Sequence, residues 1–291
     1  MKKTRMLVPL ATLLLAPLTQ AQTLQSWMSP EVQNAWNLGY KGQKVTVHVI
    51  DDFTSATRYQ ANLGTGTLLQ RHGDWTRLEA GMIAPSATMK AIDFNSTTKV
   101  SLARGLNVLN LSYGMFGPSG LTNIAWDPQE SSIISYAKGG SAIVTKAAGN
   151  DGVAVGTATS AGNVDYLARA LNGAPSAIFV GALSSNGTVT SPATLVANSN
   201  YAGSDPIVQA RFLVVGVEGS KTGLSGTSMA APIVSGYAAI LGSKFTTATA
   251  SQVSNQLLTT ARTDTISNYN ASVHGRGEAS ITRALAPISI R

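Results

Sequence analysis

Ser228 lies between a glycine-rich approach and a run of small apolar residues, in the stretch LSGTSMAAPIVSGYAAIL. A serine acts as a nucleophile when a base takes its proton, and near neutral pH that base is usually histidine. Runs of small residues are typical of tightly packed helices, so Ser228 is equally suited to cap the start of a helix. The rest of the sequence must decide between a nucleophile and an N-cap.

Three histidines could supply the base. His48 lies inside the apolar run VTVHVI, which favours a buried strand position. His274 lies in the polar, glycine-containing segment ASVHGRG near the end of the chain. His72 precedes a helix-like segment in QRHGDWTRLEAG, which would place its imidazole at a helix start.

Two triads can be assembled from these residues. The first runs Asp51, His72, Ser228 along the chain. The second runs Ser228, Asp264, His274, which is the order of an α/β-hydrolase. That fold needs a strand leading directly into the serine, and the approach SKTGLSG is a poor strand. The first triad is therefore favoured.

The elements that must position these residues follow from hydrophobic patterning. Six short apolar runs contain Val or Ile and predict strands buried on both faces; they cover residues 44–52, 88–94, 106–114, 141–150, 176–183 and 212–219. Helical spacing predicts helices at 76–84, 98–106, 131–140, Thr227–Phe245 and Thr249–Ala261. This alternation predicts a parallel sheet with helices on both faces. Functional groups of such sheets gather beyond the carboxyl ends of the strands, where Asp51, Gly114 and Asn150 would lie.

Composition excludes several classes of protein. The chain of 291 residues is 44% hydrophobic and 12% charged, which is too apolar for a disordered protein. Its net charge of +7 comes partly from Lys2, Lys3 and Arg5, and no basic run carries interleaved aromatic residues. We therefore expect no nucleic-acid partner. The chain has no cysteine, no His-Glu-x-x-His and no Gly-Lys-Ser/Thr, so the sequence predicts neither a zinc site nor a phosphate-binding loop.

Residues 1–21 have the form of a secretory signal peptide. MKKTR is the basic part, MLVPLATLLLAPL the apolar part, and TQA ends in a small residue after which cleavage is predicted. The apolar part is too short to span a bilayer, so we expect no stable membrane insertion. The absence of cysteine excludes disulfides and a lipobox. We expect a bacterial protein that is secreted or periplasmic and monomeric.

The first triad matches a known family. The segments VTVHVIDD, HG, LNLSYG, AAGN and GTSMAAP occur in the order found in subtilisin-like serine proteases, and the chain resembles that family. GTSMAAP is the most specific of them, and weaker similarity extends across nearly all of Trp27–Pro287. The resemblance implies an α/β fold, a three-layer αβα sandwich with a mostly parallel central sheet. It also implies a secreted serine endopeptidase that hydrolyses protein or peptide substrates through an acyl-enzyme.

The resemblance assigns a role to each matching residue. Ser228 would attack the scissile carbonyl, His72 would take its proton, and Asp51 would hold the imidazole. Asn150 would donate its amide to the oxyanion together with the Ser228 N–H. The segment that would pair with substrate as an added strand consists of Ser112, Tyr113 and Gly114. Small residues in 154–163 would help to wall a pocket for an apolar substrate side chain.

The chain also departs from the family pattern. Asp52 and Phe53 follow Asp51 where serine or threonine and then glycine are usual, and a second carboxylate there could shift the pH range of the triad. Asp74 and Trp75 replace the usual threonine and histidine after the histidine–glycine pair. We see no propeptide, so residues 22–291 are read as the peptidase domain. The frequent calcium loop of the family is absent after the histidine segment, and we expect no calcium there and no other cofactor. These departures leave an alternative, a catalytically impaired relative that binds peptide or a partner protein.

Overall fold

A computed structural model describes residues 23–290, so the predicted signal peptide, residues 1–21, lies outside the described residues. The helices are α1 Pro30–Asn37, α2 His72–Ile83, α3 Pro128–Gly139, α4 Tyr166–Leu171, α5 Pro206–Ala210, α6 Gly219–Thr222, α7 Thr227–Lys244, α8 Ala250–Thr259, α9 Ala271–His274 and α10 Ile281–Leu285. The strands are β1 Val45–Asp51, β2 Tyr59–Ala61, β3 Leu68–Gln70, β4 Thr88–Asp93, β5 Leu106–Leu111, β6 Phe116–Pro118, β7 Ile143–Ala147, β8 Asn163–Asp165, β9 Ala177–Leu183 and β10 Phe212–Gly216.

Six of the strands form the central sheet, in the order β10-β9-β7-β5-β1-β4, and all neighbours pair in parallel. Every residue of β1, β7, β9 and β10 is buried, as expected for strands covered on both faces. The same expectation is wrong for residues 88–94, because β4 lies at the edge of the sheet and has no buried residue. Helices α2 and α7 lie in the apolar core on one face, and α3 and α4 in the core on the other. The fold is therefore the predicted three-layer αβα sandwich with a parallel central sheet.

Each of the six predicted apolar runs contains one strand of this sheet. The register of β1 against β4 and β5 places the carboxyl ends of these strands at one edge. Two short antiparallel pairs, β2 with β3 and β6 with β8, flank the sheet. Within residues 23–290, no helix is both long enough and apolar enough to cross a membrane.

The helix predicted at 98–106 does not form, because side chains bond the main-chain groups that a helix would use. The main-chain N–H of Val100 donates to Ser132 Oγ at 3.0 Å, and its oxygen accepts from the Tyr136 hydroxyl at 2.8 Å. The amide of Asn107 bonds both the N–H and the oxygen of Ala103, each at 2.8 Å. The segment therefore leads into β5 as an irregular chain whose apolar side chains still enter the core.

Candidate active site

Asp51 and His72 meet where the end of β1 faces the start of α2. Nδ1 of His72 lies 2.6 Å from Oδ1 of Asp51. The carboxylate is 2% exposed and also accepts from the Asp52 N–H at 2.6 Å and the Thr76 hydroxyl at 2.8 Å. Three donors suit an ionised carboxylate in a buried position. Because Nδ1 is taken by Asp51, the imidazole can offer Nε2 to the cavity that His72 lines.

Gly73 is what lets α2 begin this close to β1. Its N–H donates to the main-chain oxygen of Asp52 at 3.0 Å. A Cβ on residue 73 would lie 2.7 Å from that oxygen and 2.9 Å from the ring of Phe53. A larger residue would push the helix start away from β1 and separate His72 from Asp51.

Asp52 holds the loop after β1 and does not face His72. Its carboxylate accepts from the N–H groups of Thr54 at 3.2 Å and Ser55 at 2.9 Å, and from the Ser55 hydroxyl. Burial acts to raise the pKa of Asp52, but the hydrogen bonds from Ser55 and Thr54 outweigh it and leave the pKa below its ordinary value. The second carboxylate therefore caps the loop that follows β1.

Trp75 is a core residue that anchors the β2–β3 hairpin over the histidine. It is 0% exposed, and its indole N–H donates to the main-chain oxygen of Tyr59 at 2.9 Å. The ring of Tyr59 meets that of His72 edge-on, with centroids 6.0 Å apart. Asp74 lies in the first turn of α2, 3.5 Å from Arg77. A negative charge at this end of a helix interacts favourably with the helix dipole. Both departures after Gly73 are accounted for by packing and helix electrostatics.

Ser228 is the second residue of α7, so the predicted helix start and the predicted nucleophile coincide. The helix begins after Gly226, whose φ is 90°. A Cβ at residue 226 would also lie 3.0 Å from Oδ1 of Asn150. Glycine is therefore needed at this position both for the positive φ and for the close approach of Asn150. N–H groups in the first turn of a helix have no partner within the helix, and here that end opens toward the cavity.

Ser228 and Ser112 bond each other in both directions. The Ser228 hydroxyl donates to the main-chain oxygen of Ser112 at 3.2 Å, and the Ser112 hydroxyl donates to the main-chain oxygen of Ser228 at 2.8 Å. Ser228 also lines a cavity of about 430 Å³ together with His72 and Asn150. Among the hydrogen bonds of residues 23–290, the Ser228 hydroxyl thus uses Ser112 and not His72. Unliganded sites often have such a looser serine–base arrangement.

Asn150 is held by its amide oxygen. Oδ1 accepts from the N–H of Thr227 at 2.8 Å and from its hydroxyl at 3.1 Å. Because the oxygen is taken, the NH₂ half of the exposed amide remains available to a group in the cavity. The NH₂ group of Asn150 is therefore a free donor at the cavity that His72 and Ser228 also line.

A second cavity, of about 230 Å³, lies beside Ser228 and carries a buried ion pair. Its lining includes the predicted substrate-binding segment Ser112, Tyr113 and Gly114. Nζ of Lys146 lies 2.8 Å from Oδ2 of Asp165, and the two side chains are 1% and 9% exposed. Lys146 also donates to the main-chain oxygen of Ala147 at 2.7 Å. Although Nζ is within ion-pair distance of Oδ2, that oxygen has no hydrogen-bond partner of good geometry, so the two side chains are held by the attraction of opposite charges. The floor of the pocket is therefore formed by two opposite charges side by side.

Neither Lys146 nor Asp165 was predicted from the sequence as a residue of the site. Residues 154–163, which were expected to wall a pocket, line neither of the two cavities that contain Ser228. The signal for Lys146 was a lone lysine within the apolar run SAIVTKAAGN. Asp165 accepts through Oδ1 from three main-chain N–H groups, those of Met115, Leu167 and Ala168, so it also caps α4.

The second triad is not assembled. His274 is 4% exposed, and its Nδ1 lies 3.2 Å from the main-chain oxygen of Asn270. Burial lowers the pKa of His274. Asp264 is half exposed and lies 3.6 Å from Arg283. Neither His274 nor Asp264 lines a cavity with Ser228.

His48 is a buried residue of β1, as its apolar run predicts. Its Nε2 lies 2.9 Å from Oδ1 of Asn107, and burial lowers the pKa of His48 below its ordinary value. Residues 23–290 contain no group of three or more His, Cys, Asp or Glu side chains placed to hold a metal ion.

Comparison with known proteins identifies relatives of this site and fold. The sequence model of the subtilase family matches residues 78–277. That range includes Asn150 and Ser228 and begins after Asp51 and His72. Subtilisin DY from Bacillus licheniformis is 31% identical over 255 residues, which cover 77% of this chain and 85% of that relative. Subtilisin J from Geobacillus stearothermophilus is 29% identical over 258 residues, which cover 77% of this chain but 62% of the longer relative.

Solved structures agree with the fold. The prenylagaramide maturation protease PagA matches with a TM-score of 0.59 at 20% identity, covering 88% of this chain and 98% of that one. MycP1 from Mycobacterium smegmatis matches with a TM-score of 0.57 at 19% identity, covering 88% of this chain and 82% of that one. At these identities the likeness shows the same architecture.

Proposed function

The chain belongs to the subtilase family of serine peptidases, and on that premise we propose that it is an endopeptidase that cleaves protein or peptide substrates through an acyl-enzyme. The observation that carries the proposal is the 2.6 Å contact between His72 Nδ1 and Asp51 Oδ1, at a cavity that Ser228 also lines. A base oriented by a carboxylate and facing a serine at a helix start is the constellation that acyl transfer requires.

In the first step, the Ser228 hydroxyl turns from the main-chain oxygen of Ser112 toward Nε2 of His72. His72 takes the proton while the oxygen attacks the scissile carbonyl, and Asp51 stabilises the imidazolium that forms. The developing oxyanion accepts hydrogen bonds from the NH₂ of Asn150 and from the N–H of Ser228. His72 then protonates the leaving amine. In the second half-reaction it activates the water that releases the acyl group.

The substrate side chain that precedes the scissile bond enters the second cavity. Ser112, Tyr113 and Gly114 line this cavity and carry the main-chain groups that would pair with an extended peptide. Lys146 and Asp165 neutralise each other at its floor, so a charged substrate side chain would find no free opposite charge. We therefore propose a preference for uncharged side chains at this position.

The protein is proposed to act outside the bacterial cytoplasm, because residues 1–21 resemble a secretory signal. Expression in a bacterial host and N-terminal sequencing of the exported product test this, with Gln22 as the expected first residue. We also propose a monomeric enzyme that works without a cofactor. Its activity should then survive dialysis against a calcium chelator, and its mass in solution should be that of one chain.

Labelling with a fluorophosphonate tests the central proposal. We expect one adduct on the folded protein, localised to Ser228 by fragmentation of the proteolytic peptide, and no adduct on the His72→Ala variant. A folded wild-type protein that remains unlabelled would overturn the enzyme proposal. Peptide binding without turnover, unchanged in Ser228→Ala, would then establish the impaired relative. Loss of labelling in His274→Ala, with labelling retained in His72→Ala, would instead establish the α/β-hydrolase triad.

A further inference from the structure

Pro232 leaves a gap in the hydrogen bonding of α7 at the proposed nucleophile. Pro232 lies four residues after Ser228, inside the helix. Proline has no N–H, so the main-chain oxygen of Ser228 lacks the donor that the next turn of a helix normally supplies. The hydroxyl of Ser112 fills this gap from β5's end, donating to that oxygen at 2.8 Å. The first turn of α7 is thus held by a side chain from the sheet.

This hydrogen bond is the outer end of a chain that runs into the core. The amide of Asn110 donates to Ser112 Oγ at 3.0 Å, and the hydroxyl of Ser235 donates to Asn110 Oδ1 at 3.1 Å. Thr145 Oγ1 lies 2.5 Å from Ser235 Oγ. Each hydroxyl has a single proton. Two main-chain oxygens compete for these protons, that of Ala231 at 3.1 Å from Ser235 Oγ and that of Leu109 at 3.4 Å from Thr145 Oγ1. One direction satisfies every link between the side chains. That direction runs Thr145, Ser235, Asn110, Ser112 and finally the main-chain oxygen of Ser228.

The inner members of this chain lie in the interface between α7 and the sheet. Asn110, Thr145 and Ser235 are each 0% exposed, on β5, β7 and α7. Buried polar groups destabilise a core unless they are bonded, and a bonded network fixes the arrangement of the groups that it joins. No side-chain N or O atom of the three is left buried and unbonded. The network therefore ties α7 to two central strands at a defined register.

We propose that this polar chain positions Ser228 for acyl transfer, with Asn110, Thr145 and Ser235 as positioning residues that do not touch the substrate. The inference rests on the proposed function, because it assumes that Ser228 is the nucleophile. Ser228 would supply both the attacking oxygen and one oxyanion N–H, so a shift of its helical turn displaces two reacting groups at once. Misplacement by about 1 Å can lower the rate of such a reaction on the order of 10²-fold.

Loss of the Ser235 hydroxyl would disturb the position of Ser228 without removing any group that touches the substrate. Ser235 lies two helical turns after Ser228 and is distant in sequence from Asn110. Without its hydroxyl, Asn110 Oδ1 loses its donor, and Thr145 keeps only the main-chain oxygen of Leu109, at 3.4 Å, as an acceptor. The amide of Asn110 is then free to rotate, and the Ser112 hydroxyl loses the bond that aims it at Ser228.

The experiment measures the rate constant for fluorophosphonate labelling, together with kcat and KM on a peptide ester, per titrated active site. We expect Ser235→Ala and Thr145→Val to lower the labelling rate constant and kcat about tenfold with KM unchanged. Thr145→Ser, which keeps the hydroxyl, should restore the wild-type rate. Ser254→Ala is the matched control. Ser254 is also 0% exposed and bonds main-chain oxygens of Ser176 and Ala250, outside this chain.

A double-variant cycle tests whether the effect passes through Ser112. If it does, Ser235→Ala should lower the labelling rate constant of the Ser112→Ala variant by less than a further twofold. Wild-type rates in a folded Ser235→Ala protein, or independent effects in the cycle, would overturn the inference while leaving the proposed function intact. Should Ser235→Ala fail to fold, the comparison of Thr145→Val with Thr145→Ser decides. A wild-type protein that does not label would contradict the proposed function itself.

Discussion

Thr76 donates a hydrogen bond to Oδ2 of Asp51, the carboxylate oxygen that His72 does not use, at 2.8 Å. Thr76 is one helical turn after His72 on α2 and is 0% exposed. The same helix therefore presents the imidazole to one oxygen of the carboxylate and a hydroxyl to the other. Asp51 is fixed from both sides, which sets the direction in which the imidazole faces.

Replacement of Thr76 by valine should lower kcat about tenfold with little change in KM. Valine keeps the shape of the side chain and removes the bond to a charged group, a bond that typically contributes about 1.5–3 kcal/mol. Steady-state kinetics on a peptide substrate measure the effect, and Thr76→Ser, which keeps the hydroxyl, is the control. Equal kcat values for the valine and serine variants would show that the hydroxyl does not orient Asp51 for catalysis.

Two variants of Asn150 separate its donor from its acceptor. Asn150→Asp keeps an oxygen for Thr227 but loses the NH₂ that faces the cavity, whereas Asn150→Ala loses both. Both variants should lose about 10²–10³-fold in kcat, the range known from subtilisin for removal of one oxyanion donor. Stability should fall only in Asn150→Ala, because the Thr227 N–H then loses its acceptor. Single-turnover acylation and thermal unfolding give the two readouts. An Asn150→Asp enzyme with wild-type kcat would exclude Asn150 from the oxyanion site.

The strands that carry the site were predictable, because each is a short apolar run that can be recognised without information from the rest of the chain. The false helix at 98–106 shows the limit of such patterns. Its apolar spacing is real, but Ser132, Tyr136 and Asn107 bond its main chain from other parts of the sequence. The β2–β3 hairpin escaped prediction because strands of three residues have too few positions to show an alternation.

Residues of the proposed site could be predicted from the sequence only where they belong to a family motif. Asp51, His72, Asn150 and Ser228 lie in segments that match the family, and the fold brings the last three to one cavity. Thr76 and Ser235 carry no motif. Each is connected to the site only by a hydrogen bond to a residue far away in sequence. Thr76 bonds Asp51, and Ser235 bonds Asn110. Such long-range pairs are set by packing, which a single sequence does not display.

Glu79 should make the stability of the protein depend on pH. Its side chain is 1% exposed with Oε2 buried and unbonded, and burial raises its pKa well above the ordinary value of 4.5. Below that value the carboxyl is protonated in both the folded and the unfolded state. As the pH rises further, the unfolded state ionises while the folded state resists, so the folded protein loses stability until its own pKa is passed.

Glu79→Gln removes this titration and should therefore stabilise the protein increasingly as the pH rises above the ordinary carboxyl pKa. Urea denaturation at about pH 3 and about pH 8 measures the difference in the free energy of unfolding, on either side of the ordinary glutamate range. The Ser228→Ala background prevents self-digestion in both proteins. A stability difference that is the same at both pH values would show that Glu79 does not titrate abnormally.

Lys146 should determine which substrate side chains the second cavity accepts. Lys146→Met keeps the length of the side chain but leaves Asp165 as an unpaired carboxylate at the pocket floor. Removal of one partner from a buried ion pair typically costs about 3–5 kcal/mol, so the variant should unfold at lower temperature. A lysine or arginine of the substrate, placed before the scissile bond, would supply the missing cation. The ratio of kcat/KM for lysine over glutamine at that position should then rise at least about tenfold, or by about 1.4 kcal/mol.

Asp165→Asn is the matched variant, which leaves an unpaired positive charge in the cavity in place of an unpaired negative one. It keeps Oδ1 as an acceptor for the α4 N–H groups and leaves Lys146 as an unpaired cation. Its kcat/KM should shift toward substrates with glutamate before the scissile bond, relative to glutamine. Peptides that differ only at that residue, assayed with all three enzymes, measure both shifts. If the two variants change the preference in the same direction, or change it not at all, the ion pair is not the floor of the pocket that binds this side chain. A preference that reverses between them would place the substrate side chain in the cavity that Lys146 and Asp165 line.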